Sequence, residues 1–238
     1  MFDVEWGGYL GDLATAALRT VQYALVGALA AVVIAGALAL MRTSPVRILR
    51  YAGATYVEAL KNLPLLTWLF ILYYGLPSIG ITMTAFVAGS IALATYYGAY
   101  ISEIFRAALN GVHKGQREAA LAVGLTGSRT IRKVVLPAAL RLALPGTATM
   151  LVDLLKGTSL LVSIAGAELM TTGQVISSMT FEPLEVFLVI GAIYFAICFP
   201  LSRAILRLES KLRDGDPLSR SRRRLFREVR AYAEVARP

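Results

Sequence analysis

Long apolar runs separated by short polar segments dominate the pattern along the chain. Five runs occur, at about residues 17–41, 54–76, 84–106, 141–166 and 184–206. Each is long enough to cross a bilayer as an α-helix, which takes about 20 residues. Because backbone groups inside a bilayer must be hydrogen-bonded within the protein, the pattern predicts an all-α polytopic membrane protein with about five transmembrane helices.

The second run is interrupted near one end by the sequence Lys61-Asn62-Leu63-Pro64. Proline removes a backbone donor and clashes with the preceding turn, so the helix should break there. A break that faced lipid would leave backbone groups unsatisfied, and we therefore expect this one to pack against protein.

Composition and charge agree with membrane insertion. Hydrophobic residues make up 57% of the 238-residue chain and the mean hydropathy is +0.64, which is too apolar for an ordinary soluble domain. The net charge of +9 would suggest a nucleic-acid partner in a soluble protein. Here the charges flank the apolar runs, so orientation in the membrane explains them and no nucleic-acid partner is expected.

The distribution of Lys and Arg predicts that orientation. Segments 1–16, 77–83 and 167–183 contain none, whereas 42–50, the segment between the third and fourth runs, and the C-terminal segment hold most of the 24. Since positively charged segments stay in the cytoplasm, we expect the N-terminus outside and the C-terminus inside. Glu168, Glu182 and Glu185 would then lie outside, where they could touch a partner or simply keep the surface free of positive charge.

Motifs for catalysis or metal binding are absent from the sequence. No GxxxxGK[ST] loop is present to hold ATP phosphates, no HExxH occurs, and the single cysteine, Cys198, lies in an apolar run. We therefore expect no catalytic residue, no metal site and no cofactor in this chain, which favours a transport subunit over a membrane enzyme.

The polar stretch between the third and fourth runs has a local structure of its own. Glu118-Ala119-Ala120 should begin a short helix, because these residues are good helix formers. Gly124 and Gly127 allow a turn with positive φ, and Ser128 can cap a second helix that ends before Pro137. The sequence thus predicts a helix-turn-helix loop at about residues 110–140.

This loop resembles the EAA loop of ABC importer permeases, whose pattern is Glu-Ala-Ala, three residues, Gly, nine residues, an aliphatic residue, any residue, Leu-Pro. The chain matches at Glu118, Ala119, Ala120, Gly124, Leu136 and Pro137, with Val134 where isoleucine is usual. The resemblance implies that the loop enters a groove on a cytoplasmic ATPase and passes its motion to the membrane helices. The implied coupling residues are Glu118, Ala119, Ala120, Val123, Gly124, Leu125 and Ser128.

Other stretches resemble the polar amino acid permeases within that group. They are Asn62-Leu63-Pro64-Leu65-Leu66 with Tyr73-Tyr74-Gly75-Leu76-Pro77, then Tyr100 to Arg106, Gly115-Gln116, and Leu155 to Leu160. The resemblance covers the chain from the first helix to about residue 210. It implies a type I ABC importer permease fold over residues 1–210, followed by a basic cytoplasmic tail at 211–238.

The function implied by this resemblance is that of a permease subunit in a bacterial inner membrane. It would pass a polar amino acid, or a related compound such as an opine, delivered by an external substrate-binding protein. Two ABC ATPase subunits carrying ATP and Mg, and a second permease subunit that is identical or paralogous, would complete the importer. The alternative is an ion-coupled secondary transporter or channel, but such folds often have two broken helices in inverted repeats, a symmetry that this sequence lacks.

Lys156 is the most informative polar residue within an apolar run. A charge near the middle of a span is expensive and functional by default, and Asp153 lies three residues earlier on the same helix face. Two interpretations stay open. Lys156 and Asp153 form a structural pair facing the bundle interior, or Lys156 lines the substrate path with Thr158 and Ser159, where Gly157 opens the helix.

The related motif in polar amino acid permeases is LKDTSL, with Asp where this chain has Gly157. The resemblance therefore implies one natural partner fewer for a cationic substrate. In the third run, Tyr96 and Tyr100 share a helix face and Tyr97 flanks it, either as packing residues or as part of the substrate path. Near its end, Glu103 and Arg106 are placed to form an i, i+3 salt bridge.

The C-terminal segment beyond residue 217 is rich in arginine and keeps apolar residues at helical spacing. Three interpretations stay open for this segment. It forms a basic amphipathic helix on anionic membrane lipid, it is a solvated tail, or it contacts the ATPase.

Overall fold

The structure is a computed structural model that describes Val4 and residues 6–214. Residues 1–3, 5 and 215–238 lie outside the described part. Most of the basic tail predicted at 211–238 is among them, with the three roles left open for it. The regular secondary structure of the described part is entirely helical, with no strand. The predicted all-α class is therefore confirmed.

Nine α-helices in the described part are joined by short turns. They are α1 Leu10–Thr43, α2 Arg47–Lys61, α3 Leu65–Phe70, α4 Ala85–Gly111, α5 Lys114–Ala122, α6 Gly127–Thr130, α7 Leu136–Gly157, α8 Leu169–Thr180 and α9 Pro183–Asp214. Helical turns of other pitch extend them: 3-10 turns at Trp6–Gly8, Leu76–Ile79 and Thr158–Ile164, and π-turns at Ile71–Gly75 and Ile131–Val135.

Four continuous helical stretches of the described chain are long and apolar enough to cross a membrane. They are Leu10–Thr43, Ala85–Gly111, Gly127–Ile164 and Pro183–Arg207. The second predicted span is a bent pair, Arg47–Lys61 and Leu65–Ile79, which turns by 106° at the break. The multi-pass architecture and the break near Pro64 are thus confirmed, while the span that contains the break is less straight than predicted.

Helix α4 lies at the centre of the bundle, between α1 and α7. Small residues allow this close packing, as is common between membrane helices. A Cβ added at Gly98 of α4 would lie 2.8 Å from Cγ2 of Ile34 in α1, and one at Gly27 of α1 would lie 3.2 Å from Cβ of Leu93. The glycines therefore set the distance between α1 and α4.

The break between α2 and α3 packs against protein, as predicted. Leu65 and Leu69 are buried in the main core, and the indole N–H of Trp68 donates to Oγ1 of Thr95 at 2.9 Å. The hydroxyl of Tyr100 donates to the carbonyl of Lys61 at 3.2 Å. This contact supplies a partner for a backbone oxygen that the broken helix cannot pair.

The predicted end of the loop helix before Pro137 is wrong. Helix α6 continues through the π-turn Ile131–Val135 into α7, so one helical stretch runs from Gly127 to Ile164. A π-turn widens the helix by one residue, which accommodates a proline without ending the helix. The second helix of the loop and the fourth span are consequently one continuous body.

Residues 167–183, predicted as an outer loop, contain helix α8. It packs on the first turns of α1 and α9 through a cluster that includes Leu13, Leu169, Ile176 and Ile190. A Cβ added at Gly173 would lie 2.6 Å from Cγ1 of Ile190, so α8 approaches α9 closely. Because α8 has only 12 residues, it is too short to be predicted from apolar runs of membrane length.

Candidate functional sites on the loop and on α7

The first helix of the loop begins earlier than predicted. Helix α5 starts at Lys114 because His113 caps it, with Nδ1 accepting the N–H of Gly115 at 3.1 Å. Glu118-Ala119-Ala120 therefore lie in the middle of α5 rather than at its start. A histidine cap is weaker than a serine or aspartate cap, and the sequence prediction overlooked it.

The turn after α5 depends on Gly124, as predicted. Its φ is +82°, and the N–H of Leu125 donates to the carbonyl of Ala120 at 3.1 Å while the N–H of Gly124 donates to Leu121 at 3.0 Å. This pair of bonds is a Schellman motif, which needs a left-handed residue after the helix. A Cβ at Gly124 would meet no atom within 4 Å, so backbone conformation alone demands glycine there.

The two remaining loop predictions need correction. Gly127 has no positive φ, because it is the first residue of α6. Thr126, not Ser128, occupies the N-cap position, and Ser128 lies within α6 with its side chain exposed. The turn uses one left-handed glycine, after which extended backbone at Thr126 starts the next helix.

The loop presents an apolar surface to its surroundings. Val123 is 78% exposed and Leu121 is 46% exposed, whereas Ala120 is only 5% exposed because it faces the rest of the loop. Glu118 and Ala119 lie on the exposed side of α5. Exposed aliphatic residues on a rigid helical turn are suited to docking into a groove of another protein.

Lys156 and Asp153 form the predicted ion pair, with Nζ and Oδ1 3.3 Å apart. Their side chains are 60% and 43% exposed. The interpretation in which the pair faces the interior of this chain's bundle is therefore wrong. Charged groups at this depth avoid lipid tails. We therefore expect the α7 surface around them to be covered by water or by another protein rather than by lipid.

Tyr97 and Thr158 lie behind that surface. Thr158 is fully buried and its hydroxyl donates to the carbonyl of Leu155 at 2.7 Å. The hydroxyl of Tyr97, also buried, donates to the carbonyl of Asp153 at 2.9 Å. A Cβ at Gly157 would lie 2.8 Å from this hydroxyl, so glycine permits the contact. The α-helix ends at Gly157 and continues as a 3-10 turn instead of opening.

Tyr96 and Tyr100 share a face of α4, as predicted, with ring centroids 5.2 Å apart and hydroxyl oxygens 3.5 Å apart. Both are partly exposed, as is Ser159, whose hydroxyl donates to the carbonyl of Lys156 at 2.8 Å. Of the six predicted path residues, the partly exposed ones are Tyr96, Tyr100, Lys156 and Ser159.

Comparison with known proteins identifies the family of this chain. The sequence profile of the family described as binding-protein-dependent transport system inner membrane component matches residues 25–214. The chain belongs to this family. The prediction of an ABC importer permease from the EAA pattern is thereby confirmed.

Two relatives and one solved structure show the extent of the similarity. The probable glutamine ABC transporter permease protein GlnM of Bacillus subtilis is 36% identical over 176 residues, covering 74% of this chain and 82% of the relative. The nopaline transport system permease protein NocM of Agrobacterium fabrum is 35% identical over 207 residues, covering 83% and 86%. A crystal structure of an amino acid ABC transporter with histidines has a TM-score of 0.82 at 29% identity, covering 86% of this chain and 95% of that chain.

A charged cluster ties three helices of the permease together at the end that leads into the loop. Nε of Arg106 donates to Oε1 of Glu103 at 3.2 Å, as the i, i+3 spacing predicted. Arg42, from the last turn of α1, pairs with the other oxygen of Glu103. Gly53 of α2 lies against Arg42, because a Cβ there would be 3.1 Å from Cγ of the arginine.

Glu168 is a structural residue of the permease that the sequence prediction placed on the outer surface. It is fully buried and caps α8, accepting the N–H groups of Met170 and Thr171 at 2.8 Å each. The hydroxyl of Tyr194 in α9 donates to it at 2.7 Å. Glu185 is also buried, and it accepts the indole N–H of Trp6 at 2.7 Å. Of the three outer glutamates, only Glu182 is partly exposed.

Within the described part, no three His, Cys, Asp or Glu residues are close enough to hold a metal ion.

Proposed function

We propose that the chain is the permease subunit of an ATP-driven importer for polar amino acids or related compounds such as opines, in a bacterial inner membrane. The observation that carries this proposal is the exposed loop built around Gly124 and continuous with a membrane span. The names of the relatives favour this substrate class, since they refer to glutamine and nopaline transport.

The proposed partners follow from the loop and the family. Two ABC ATPase subunits would bind ATP and Mg and receive the loop through Leu121 and Val123, whose exposed aliphatic side chains fit an apolar groove. Glu118, Ala119, Gly124, Leu125 and Ser128 would shape or border the contact, with Ala120 supporting it from inside. A second permease, identical or paralogous, and an external substrate-binding protein would complete the importer.

The continuous helix suggests how force reaches the membrane. Because α6, the π-turn and α7 form one body from Gly127 to Ile164, a displacement of α6 moves the residues near Lys156 without an intervening break in the helix. Two discrete positions of such a rigid element are a physical basis for coupling distant sites.

For the substrate path we propose the exposed part of α7, with Lys156 and Ser159, together with Tyr96 and Tyr100 of α4. Tyr97 and Thr158 would support it from behind. The Lys156 ammonium can attract an α-carboxylate, and Asp153 can attract an α-amino group. Since these two charges cancel and Gly157 adds no carboxylate, a zwitterionic polar amino acid fits better than a basic one.

A pair of glycine variants tests the coupling proposal. Gly124→Ala places a Cβ on a residue with φ of +82°, which we expect to distort the turn and to reduce ATPase binding and uptake severalfold. Gly127→Ala is the matched control, because its Cβ also meets no atom but its φ is ordinary. Equal uptake and equal ATPase binding in both variants would refute the assignment.

A further inference from the structure

The first turns of α2 form a surface that none of the roles above uses. Residues 45–52 are all exposed, and we call them the α2 surface. Ile48 is 79% exposed and Tyr51 is 67% exposed, while the buried side of α2 begins only at Gly53. On a surface that faces water, exposed apolar side chains of this size beside charged groups would be unfavourable.

Two arginines of the α2 surface have no acidic partner among the residues that the structure describes. Among the ion pairs of residues 6–214, Arg42 pairs with Glu103 and Lys61 with Glu58, but neither Arg47 nor Arg50 reaches a carboxylate. Arg50 makes only a 3.5 Å contact with the carbonyl of Ser44. Residues three apart share a helix face, so the two guanidinium groups present positive charge to the same side.

The depth of the α2 surface places it at the membrane boundary. Gly53 lies against Met41 and Arg42 in the last turn of α1, so the residues before Gly53 lie at or beyond the end of that span. Helix α2 also makes an angle of 106° with the segment that follows it. A helix with arginine, tyrosine and aliphatic side chains exposed at this depth suits the interface between headgroups and acyl chains.

We propose that the α2 surface is a binding site for an anionic phospholipid of the adjacent leaflet. Arg47 and Arg50 hold the headgroup phosphate, and Ile48 and Tyr51 enter the boundary of the acyl chains. The site rests on membrane insertion of the permease and not on its substrate or its ATPase. It gives the importer a dependence on anionic lipid through α2, which packs on both α1 and α4.

The test uses the full chain, purified without partners and placed in nanodiscs of phosphatidylcholine containing phosphatidylglycerol. Spin-labelled phosphatidylglycerol and spin-labelled phosphatidylcholine report which lipid is held at the protein. We expect Arg47→Gln with Arg50→Gln to weaken the preference for phosphatidylglycerol by about 10- to 30-fold. Arg47→Lys with Arg50→Lys should keep most of it, because charge is retained.

The matched control is Arg129→Gln with Arg132→Gln, an exposed pair in the loop with the same spacing, which should leave lipid preference unchanged. An equal loss in this control, or no preference in the parent chain, would overturn the proposal. If the glutamine pair prevents folding, full loss of preference in the folded lysine pair overturns it as well. Unchanged lipid preference with weakened binding of an ATPase or of a second copy would assign the surface to a protein partner instead.

Discussion

Lys156 and Asp153 carry opposite charges on a part of α7 that this chain leaves uncovered. An exposed pair of this kind contributes at most about 1 kcal/mol to stability, so stability gives little reason to keep it in a membrane span. The cost of charges at membrane depth is offset if water or a second subunit covers them. At the residue scale, this pair is therefore the best candidate for a contact with a zwitterionic substrate.

Replacement of Lys156 distinguishes a substrate contact from a structural pair. We expect Lys156→Met to raise the substrate concentration for half-maximal uptake severalfold, because the ammonium no longer attracts a carboxylate, while assembly and thermal stability stay near those of the parent. Recovery of uptake in the double variant Asp153→Asn with Lys156→Met would show instead that the pair is structural.

Single residues also show what sequence can and cannot reveal. The positive φ of Gly124 was predictable, because helix formers before it and a glycine at the turn are local signals. The burial of Glu168 was not, since its partners Thr171 and Tyr194 include one 26 residues away, and only the fold brings them together. Glutamate is not among the residues favoured at a helix N-cap, so no local signal marked the cap.

At the scale of elements, α8 shows how a short helix is fixed to the bundle. The N–H of Leu169 donates to Oγ1 of Thr20 in α1 at 3.1 Å, and Glu168 accepts from Tyr194 in α9. The cap of α8 is thus shared with two spans. Movements of α1 and α9 at this end of the bundle must carry α8 with them or break these bonds.

Removal of the charge at Glu168 should loosen α8. Glu168→Gln places an amide against donors that need an acceptor, and we expect it to cost on the order of 2–4 kcal/mol of stability. Thermal unfolding in detergent and hydrogen exchange of α8 are the measurements. Glu182→Gln, at a partly exposed glutamate of the same region, is the control and should change neither. Equal behaviour of the two variants would contradict the assigned role.

The helices themselves were predictable where length and hydropathy suffice. The five apolar runs and the break at Pro64 follow from local composition. The continuous stretch through Pro137 does not, because proline is a local signal for the end of a helix and the π-turn before it has no comparable local signal. For the same reason, the sequence did not predict that one helical stretch runs from Gly127 to Ile164.

At the scale of the whole molecule, burial is uneven among the spans. In their most apolar windows, 61% of the residues of α4 are buried, against 17% for the stretch containing α7 and 22% for α9. The spans with low burial leave the most surface for contacts with lipid or with the partners proposed above.

Chemical labelling tests the predicted orientation. With Cys198 replaced by alanine, a cysteine at Ser178 in α8 should react with an impermeant thiol reagent in intact cells, because the segment without Lys and Arg is predicted outside. A cysteine at Ser128 in the loop should react only after the cells are opened. Both positions are exposed, so the reverse pattern would contradict the orientation rather than reflect burial.

The most direct measurement of ATPase coupling is the amount of ABC ATPase that purifies with the tagged permease from its own membranes. We expect one ATPase subunit per permease chain, and a strong reduction in Val123→Glu, which places a charge on the 78% exposed aliphatic position of the loop. The same change at Val175 in α8, which is 47% exposed, should leave the amount unaltered. A folded permease that purifies without an ATPase, or binds one equally well after Val123→Glu, would contradict the proposed coupling.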